Sequence, residues 1–204
     1  MWREFLTWGG IAIWLASTAI GFGIWQEYEA TPGAAPSAAS QPLPASDRPH
    51  VVVYLHPRCP CSRATLDELA IVLEERRDAD VEIVFVRPPD MEAGWERGEL
   101  WDRAAALPGA RVRVDAHGDE AKAAGAATSG TVIYSNEAGR VLFQGGITRG
   151  RGAHGDNAGR TALESRLCGR SAGIDKTPIY GCPLAAPDRY SPNSPNSPNS
   201  PITR

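Results

Sequence analysis

The first feature of the chain is an unbroken apolar run. Residues 5–25, FLTWGGIAIWLASTAIGFGIW, hold 21 residues without a charge. Wound as a helix, that length rises ~30 Å, the thickness of a bilayer core. Trp8 and Trp25 lie near its two ends, where indole rings favour the membrane interface. Arg3 precedes the run and Glu27 and Glu29 follow it. The positive end stays cytoplasmic, which leaves the rest of the chain outside. A cleaved signal peptide competes with this anchor: GAAPSAAS offers small residues for cleavage, but begins well after the apolar run ends. A buried soluble helix is the third reading. The first two both export the remainder of the chain.

Beyond residue 27 the pattern changes. Residues 28–49 are dominated by Ala, Pro and Ser with almost no large apolar group, the composition of a linker. At the other end, residues 185–204 contain the repeat SPNSPNSPNSP, a low-complexity tail expected to be disordered. Only 50–184 alternates as a folded domain does.

Within 50–184, HVVVYLH (50–56) is a continuous β-branched run, the mark of a strand buried on both faces. Leu66, Leu69, Ala70 and Leu73 come next at i, i+3, i+4 and i+7, which predicts a helix over about 61–77. VEIVFVR (81–87) reads as a second buried strand stopped by two prolines. A helix over about 95–106, a short strand at 111–115 and a short helix at 119–126 come after it. TVIYS and RVLFQ flank NEAG, a hairpin with Gly139 at its turn. A closing helix runs from Asn157 to Cys168, capped by Asp156 or Asn157. Strands separated by helices are joined by right-handed crossovers in parallel, and the hairpin adds an antiparallel edge. The fold class is therefore α/β: a mixed sheet with helices on both faces, preceded by one transmembrane helix.

Charge narrows the function. Lys and Arg total 21 against 24 Asp and Glu, for a net charge of −3, and no strongly basic face is visible. This argues against nucleic acid as a partner. GGITRGRG is glycine-rich but follows an edge hairpin, so it is a poor phosphate loop.

Chemistry concentrates in HPRCPCSRA (56–64), where the first buried strand hands over to a helix. Unpaired N–H groups and the positive end of the helix dipole favour a thiolate there, and Arg58 and Arg63 add positive charge. Cys59 and Cys61, with Pro60 between them, are thus candidate catalytic cysteines. Cys59, nearer the exposed helix tip, is the expected nucleophile. The Cα atoms of an i, i+2 pair lie roughly 5.5–7 Å apart, at the upper edge of disulfide reach. A strained bridge of this kind suits an oxidant or isomerase better than a strong reductant. The alternative is a copper-binding protein, with Cys59, Cys61 and a histidine (His154 or His56) as ligands. No cofactor is required in the redox reading.

The topology also returns the loop 145–159 to the cysteine end of the sheet, bringing Arg149, Arg151, His154 and Asp156, with RPPD (87–90) at the same edge. His154 is a candidate proton shuttle. Cys168 and Cys182, 14 positions apart, would form a structural disulfide stabilising the fold by about 3 kcal/mol through lost chain entropy. Cys182 could alternatively fold back and resolve a mixed disulfide.

The element order, with cysteines between the first buried strand and the next helix, resembles the thioredoxin fold over about 50–168. The stretch 111–146 is the best local match: Asp115 ends a strand, Gly125 lies in the link and Thr131 opens the hairpin. Taken with the anchor and TPIYGCPL, the whole chain resembles the RedB-type group of membrane-anchored thioredoxin-like proteins. The resemblance implies a membrane-tethered thiol–disulfide oxidoreductase facing the periplasm or the extracellular side. Its partners would be protein thiols and disulfides or a membrane redox partner. Two departures stand out. Thioredoxins carry Cys-x-x-Cys, and they carry a cis-proline where this chain has Gly130, which implies a more open site here.

Overall fold

The structure is a computed structural model describing residues 2–37, 45–75 and 79–184. The SPN-repeat tail, residues 38–44 of the linker and residues 76–78 at the end of the expected 61–77 helix lie outside the described residues. The chain divides into two compact units, Met1–Thr31 and Pro32–Arg204.

The first unit is helix α1 (Trp2–Ala30). Its segment Thr7–Ala30 is long and apolar enough to cross a membrane, and none of it is buried. Ile13 and Trp14 are 70% and 65% exposed, which sets aside a buried core helix. The hydroxyls of Ser17 and Thr18 donate to the carbonyls of Ile13 and Trp14 at 2.8 and 2.9 Å. These polar side chains are thus satisfied within the helix, as hydrocarbon surroundings require.

The second unit is built on five strands: β1 (His50–Leu55), β2 (Asp80–Arg87), β3 (Ala110–Ala116), β4 (Thr131–Ser135) and β5 (Val141–Gly145). Their order is β3-β2-β1-β4-β5. β1, β2 and β3 are parallel, and β4 and β5 join as an antiparallel hairpin. β1 is central, and this explains its unbroken apolar run: both faces need side chains that exclude water. Val51, Val53 and Leu55 point to one face, with Leu66, Leu69 and Val72 of α2 (Ser62–Glu75) and Leu163 of α5 (Ala158–Leu167). Val52 and Tyr54 point to the other, with Ala121 of α4 (Asp119–Ala123) and Leu184. Each fully buried Leu or Val contributes about 1.5–3 kcal/mol relative to exposure.

One expected helix is shorter. α3 spans Glu99–Ala105 instead of starting at 95. Residues 92–97 are turns, with the Trp95 and Arg97 amides donating to the Glu92 and Gly94 carbonyls. Gly94 has φ 96°, which a helix cannot use, and Glu96 turns inward onto Arg87 at 3.4 Å. At α5 the cap is Asn157, whose side chain accepts the Arg160 N–H, while Asp156 pairs with the Arg160 guanidinium.

Two flanking segments are tied to this unit by backbone hydrogen bonds. Part of the linker is strapped down: Gly33 N–H donates to Ile179 O at 2.8 Å and Ser37 N–H to Gly125 O at 3.1 Å. Beyond α5, the chain passes β5, where Gln144 N–H donates to Asp175 O. It then crosses to the cysteine end of the sheet, where Ser129 N–H donates to Cys182 O at 2.8 Å and Leu184 N–H to Ala127 O at 2.9 Å. This C-terminal strap decides the shape of the site.

Candidate active site

Cys59 and Cys61 lie between β1 and the first turn of α2. Cys59 N–H donates to His56 O and Ser62 N–H to Cys59 O, both at 3.1 Å, so the CPC segment is a tight turn running directly into the helix. Pro60 is at its exposed corner. The turn points the Cys59 side chain inward, and Cys59 is 0% exposed while Cys61 is half-buried. Cys59, expected nearer the exposed helix tip, is therefore the buried member of the pair, and Cys61 is the member that meets solvent.

The strap brings a third cysteine. Cys182 N–H donates to Cys59 Sγ at 3.4 Å, and its thiol is hydrogen-bonded to the same sulfur. All four cysteines are unbridged. The expected Cys168–Cys182 disulfide is not formed: Cys168 caps the far end of α5, while Cys182 is carried to Cys59.

Burial is the largest single influence on Cys59 and disfavours its thiolate. Hydrogen bonds from the Cys182 thiol and N–H, the Ser62 side chain and the Cys61 backbone outweigh it, so its pKa lies below the ordinary thiol value. Ser62 belongs to a buried chain of donors: its hydroxyl is 2.8 Å from that of Ser129, which accepts the His56 N–H at 2.8 Å. If Ser62 donates to Cys59, Ser129 must donate to Ser62, and the hydrogen bonds run one way, from His56 N–H to the sulfur. The neighbouring thiols move oppositely. Burial, then the negative charge and hydrogen bonding of Cys59, raise Cys61, against an opposing pull from Arg151. Burial and the hydrogen bond to Cys59 push Cys182 up to about 12. Of the three, Cys59 is therefore the thiol that ionises most readily.

The other expected residues divide. The loop 145–159 reaches the cysteines through Arg151, which hydrogen-bonds the Cys61 side chain and donates to Gly181 O at 2.8 Å. His154 does not take part: its Nδ1 is 3.7 Å from Asp67 Oδ2 on α2. The flanking arginines also turn away. Arg63 pairs with Glu99 at 2.7 Å, and Arg58 donates to Trp95 O at 3.1 Å with its guanidinium over the Trp95 ring. The cation at the thiols is thus Arg151, not Arg58 or Arg63. His56 Nδ1 accepts the Arg58 N–H, and its ring packs edge-on against Trp95. Burial and then Arg58 lower its pKa, keeping it neutral. His154 thus lies at Asp67 and His56 at Trp95, and among the described residues no group of three or more His, Cys, Asp or Glu is placed to hold a metal.

Gly130 leads into β4 with φ 93°, its N–H donating to Tyr54 O at 2.9 Å. A Cβ there would come within 3.0 Å of Thr65 Oγ1 and 3.8 Å of Ile179 Cγ2. The expected opening is therefore closed, by α2 on one side and the strap on the other. Thr131, fully buried, donates its hydroxyl to Thr128 O and shapes the turn that carries Ser129. Sequence reasoning does not single out Ser62 and Ser129: a serine after CPC reads as an ordinary helix start, and nothing local ties Ser129 to it.

This chain combines three parallel strands, an antiparallel hairpin on one side, helices on both faces and a cysteine pair where the central strand meets its helix. The fold is thioredoxin-like. No family model matches the chain, and no match was found among the curated proteins. Solved structures do match. A hypothetical protein of Sinorhizobium meliloti is 19% identical with a TM-score of 0.55, over 76% of this chain and 96% of that one. An uncharacterized conserved protein of Geobacillus kaustophilus is 16% identical with a TM-score of 0.58, over 76% and 93%. At these identities the likeness is one of fold. A secreted Mycobacterium tuberculosis disulfide oxidoreductase homologous to E. coli DsbE is 13% identical with a TM-score of 0.45, over 61% and 84%.

Proposed function

We propose that this protein is a membrane-tethered thiol–disulfide oxidoreductase that donates disulfides through Cys59 and Cys61, with its domain on the periplasmic or extracellular side. The observation that carries this reading is the division between the two cysteines: the accessible one is not the acidic one. In the oxidised pair, a substrate thiolate attacks Cys61 Sγ. A substrate–Cys61 disulfide forms, the Cys59–Cys61 bond breaks, and its electron pair stays on Cys59. A second substrate thiolate then attacks the substrate sulfur of the mixed disulfide and releases Cys61, which takes up a proton. The substrate dithiol is oxidised and the CPC pair reduced. A low-pKa thiol is the better leaving group, and stabilising the reduced form makes the disulfide more oxidising. Cys59, held by two side chains and two backbone N–H groups, meets both requirements.

The partners are protein dithiols as substrates, and a membrane redox partner that restores the disulfide. An N-terminal helix able to cross a membrane supports the tether. The full chain in detergent, oxidised beforehand, is expected to oxidise a reduced dithiol peptide stoichiometrically, and catalytically with excess oxidised glutathione. Cys59→Ser and Cys61→Ser are each expected to abolish this. Full activity in either variant would refute the mechanism.

A further inference from the structure

Disulfide donation needs two cysteines, but the Cys59 sulfur has two thiol neighbours. Cys61 reaches it across the CPC turn. Cys182 reaches it from the strap, with its nitrogen at 3.4 Å and its thiol hydrogen-bonded to the sulfur. Four contacts hold that approach. Ser129 N–H donates to Cys182 O, Leu184 N–H to Ala127 O, and Arg151 to Gly181 O. The fourth is the fit of Gly181, where a Cβ would lie 2.0 Å from Ser129 O. A loop pinned this closely is a positioned nucleophile rather than a passing segment.

We infer that Cys182 is a third redox cysteine, which takes over the disulfide by forming an alternative bridge with Cys59. This rests on the redox reading of the CPC pair. Starting from the Cys59–Cys61 disulfide, the Cys182 thiolate attacks Cys59 Sγ. The Cys59–Cys182 bond forms and the Cys59–Cys61 bond breaks. Cys61 leaves with the electron pair and takes up the proton that Cys182 gave up. No electrons are gained or lost overall, so no further oxidant is needed. The product has its disulfide between Cys59 and Cys182 and a free thiol on half-buried Cys61.

Three features favour the step. First, Arg151 hydrogen-bonds the Cys61 side chain, so the departing thiolate forms beside a guanidinium. Second, part of what raises the Cys182 pKa is the negative charge of Cys59 and the hydrogen bond given to it. Both vanish once Cys59 is in a disulfide, so Cys182 ionises more readily when its nucleophile is needed. Third, Cys59 and Cys182 are 123 positions apart. A bridge of that span restrains the unfolded chain far more than an i, i+2 bridge, so once formed it stabilises the fold more. Arg151 is here a positioning residue, acting on both flanking cysteines.

The test is disulfide mapping on the full chain in detergent. The wild type and Cys61→Ser are oxidised with diamide, alkylated, digested and mapped by mass spectrometry. The expected result is a Cys59–Cys182 linkage in Cys61→Ser, and both this linkage and Cys59–Cys61 in the wild type, with Cys168 alkylated throughout. A Cys59–Cys182 linkage in either protein supports the inference. Its absence from both, with Cys59–Cys61 formed in the wild type, overturns the inference and leaves the CPC reading standing. A wild type that forms neither bridge overturns both.

Discussion

Cys59 has a lowered pKa although it is fully buried, and the physical reason is a count of donors. A thiolate without water is stable only where protein groups replace the lost hydration. Here Cys182, Ser62 and the Cys61 backbone do so. This sets the sign of the pH dependence. The thiolate of a group with a lowered pKa appears at lower pH than that of a free thiol, so the Cys59 thiolate is expected to titrate with a midpoint below that of an ordinary cysteine. The difference in thiolate ultraviolet absorbance between the wild type and Cys59→Ser, followed against pH, measures it. Ser62→Ala removes one donor and should move the midpoint upward. A midpoint that does not move would show that the Ser62 hydroxyl does not support the sulfur. The cysteine pair is legible in the sequence because strand, turn and helix start are local signals. Which cysteine faces solvent is not, because it depends on how the turn rotates Cys59 beneath the strap.

The elements divide in the same way. β1, β2 and the 131–145 hairpin are written as continuous or turn-punctuated apolar runs, and each lies close to its expected bounds. The closing helix covers Ala158–Leu167, within the expected range. The start of α3 departs from expectation because Gly94 and the inward turn of Glu96 override the helical pattern. The strap is illegible for a different reason. TPIYGCPL carries no periodicity, and its path is set by contacts with residues 30 to 123 positions away, among them Gly146, Arg151 and Cys59. The glycine at 181 is the most exacting of these contacts. Gly181→Ala would drive a methyl into the Ser129 carbonyl, so it is expected to destabilise the domain by about 1–3 kcal/mol. Denaturant unfolding measures that loss. The same variant should make Cys182 react faster with maleimide, because the strap must lift. A variant as stable and as slow to react as the wild type would mean that the strap is not held there.

Taken as a protein of two units, the chain pairs a helix able to cross a membrane with a domain whose three clustered thiols suit a compartment where disulfides persist. The orientation is open to direct measurement. Cys61 in intact cells is expected to react with a membrane-impermeant maleimide after reduction; labelling only after lysis would place the domain inside. The anchor and the alternating order of the domain are legible because each is a pattern of hydrophobicity. The convergence of Cys59, Cys61, Cys182 and Arg151 is only half legible, since topology returns the 145–159 loop to the cysteines but does not reveal which of its side chains arrives. The decisive observation would be a redox titration of the full chain in glutathione buffers, with the Cys59–Cys61 peptide quantified at each poise. The structure predicts a two-electron transition on the oxidising side, roughly −200 to −100 mV, that is absent in Cys59→Ser. A Cys59–Cys61 pair that stays reduced at every poise, or one with a thioredoxin-like potential near about −270 mV, would contradict a disulfide donor.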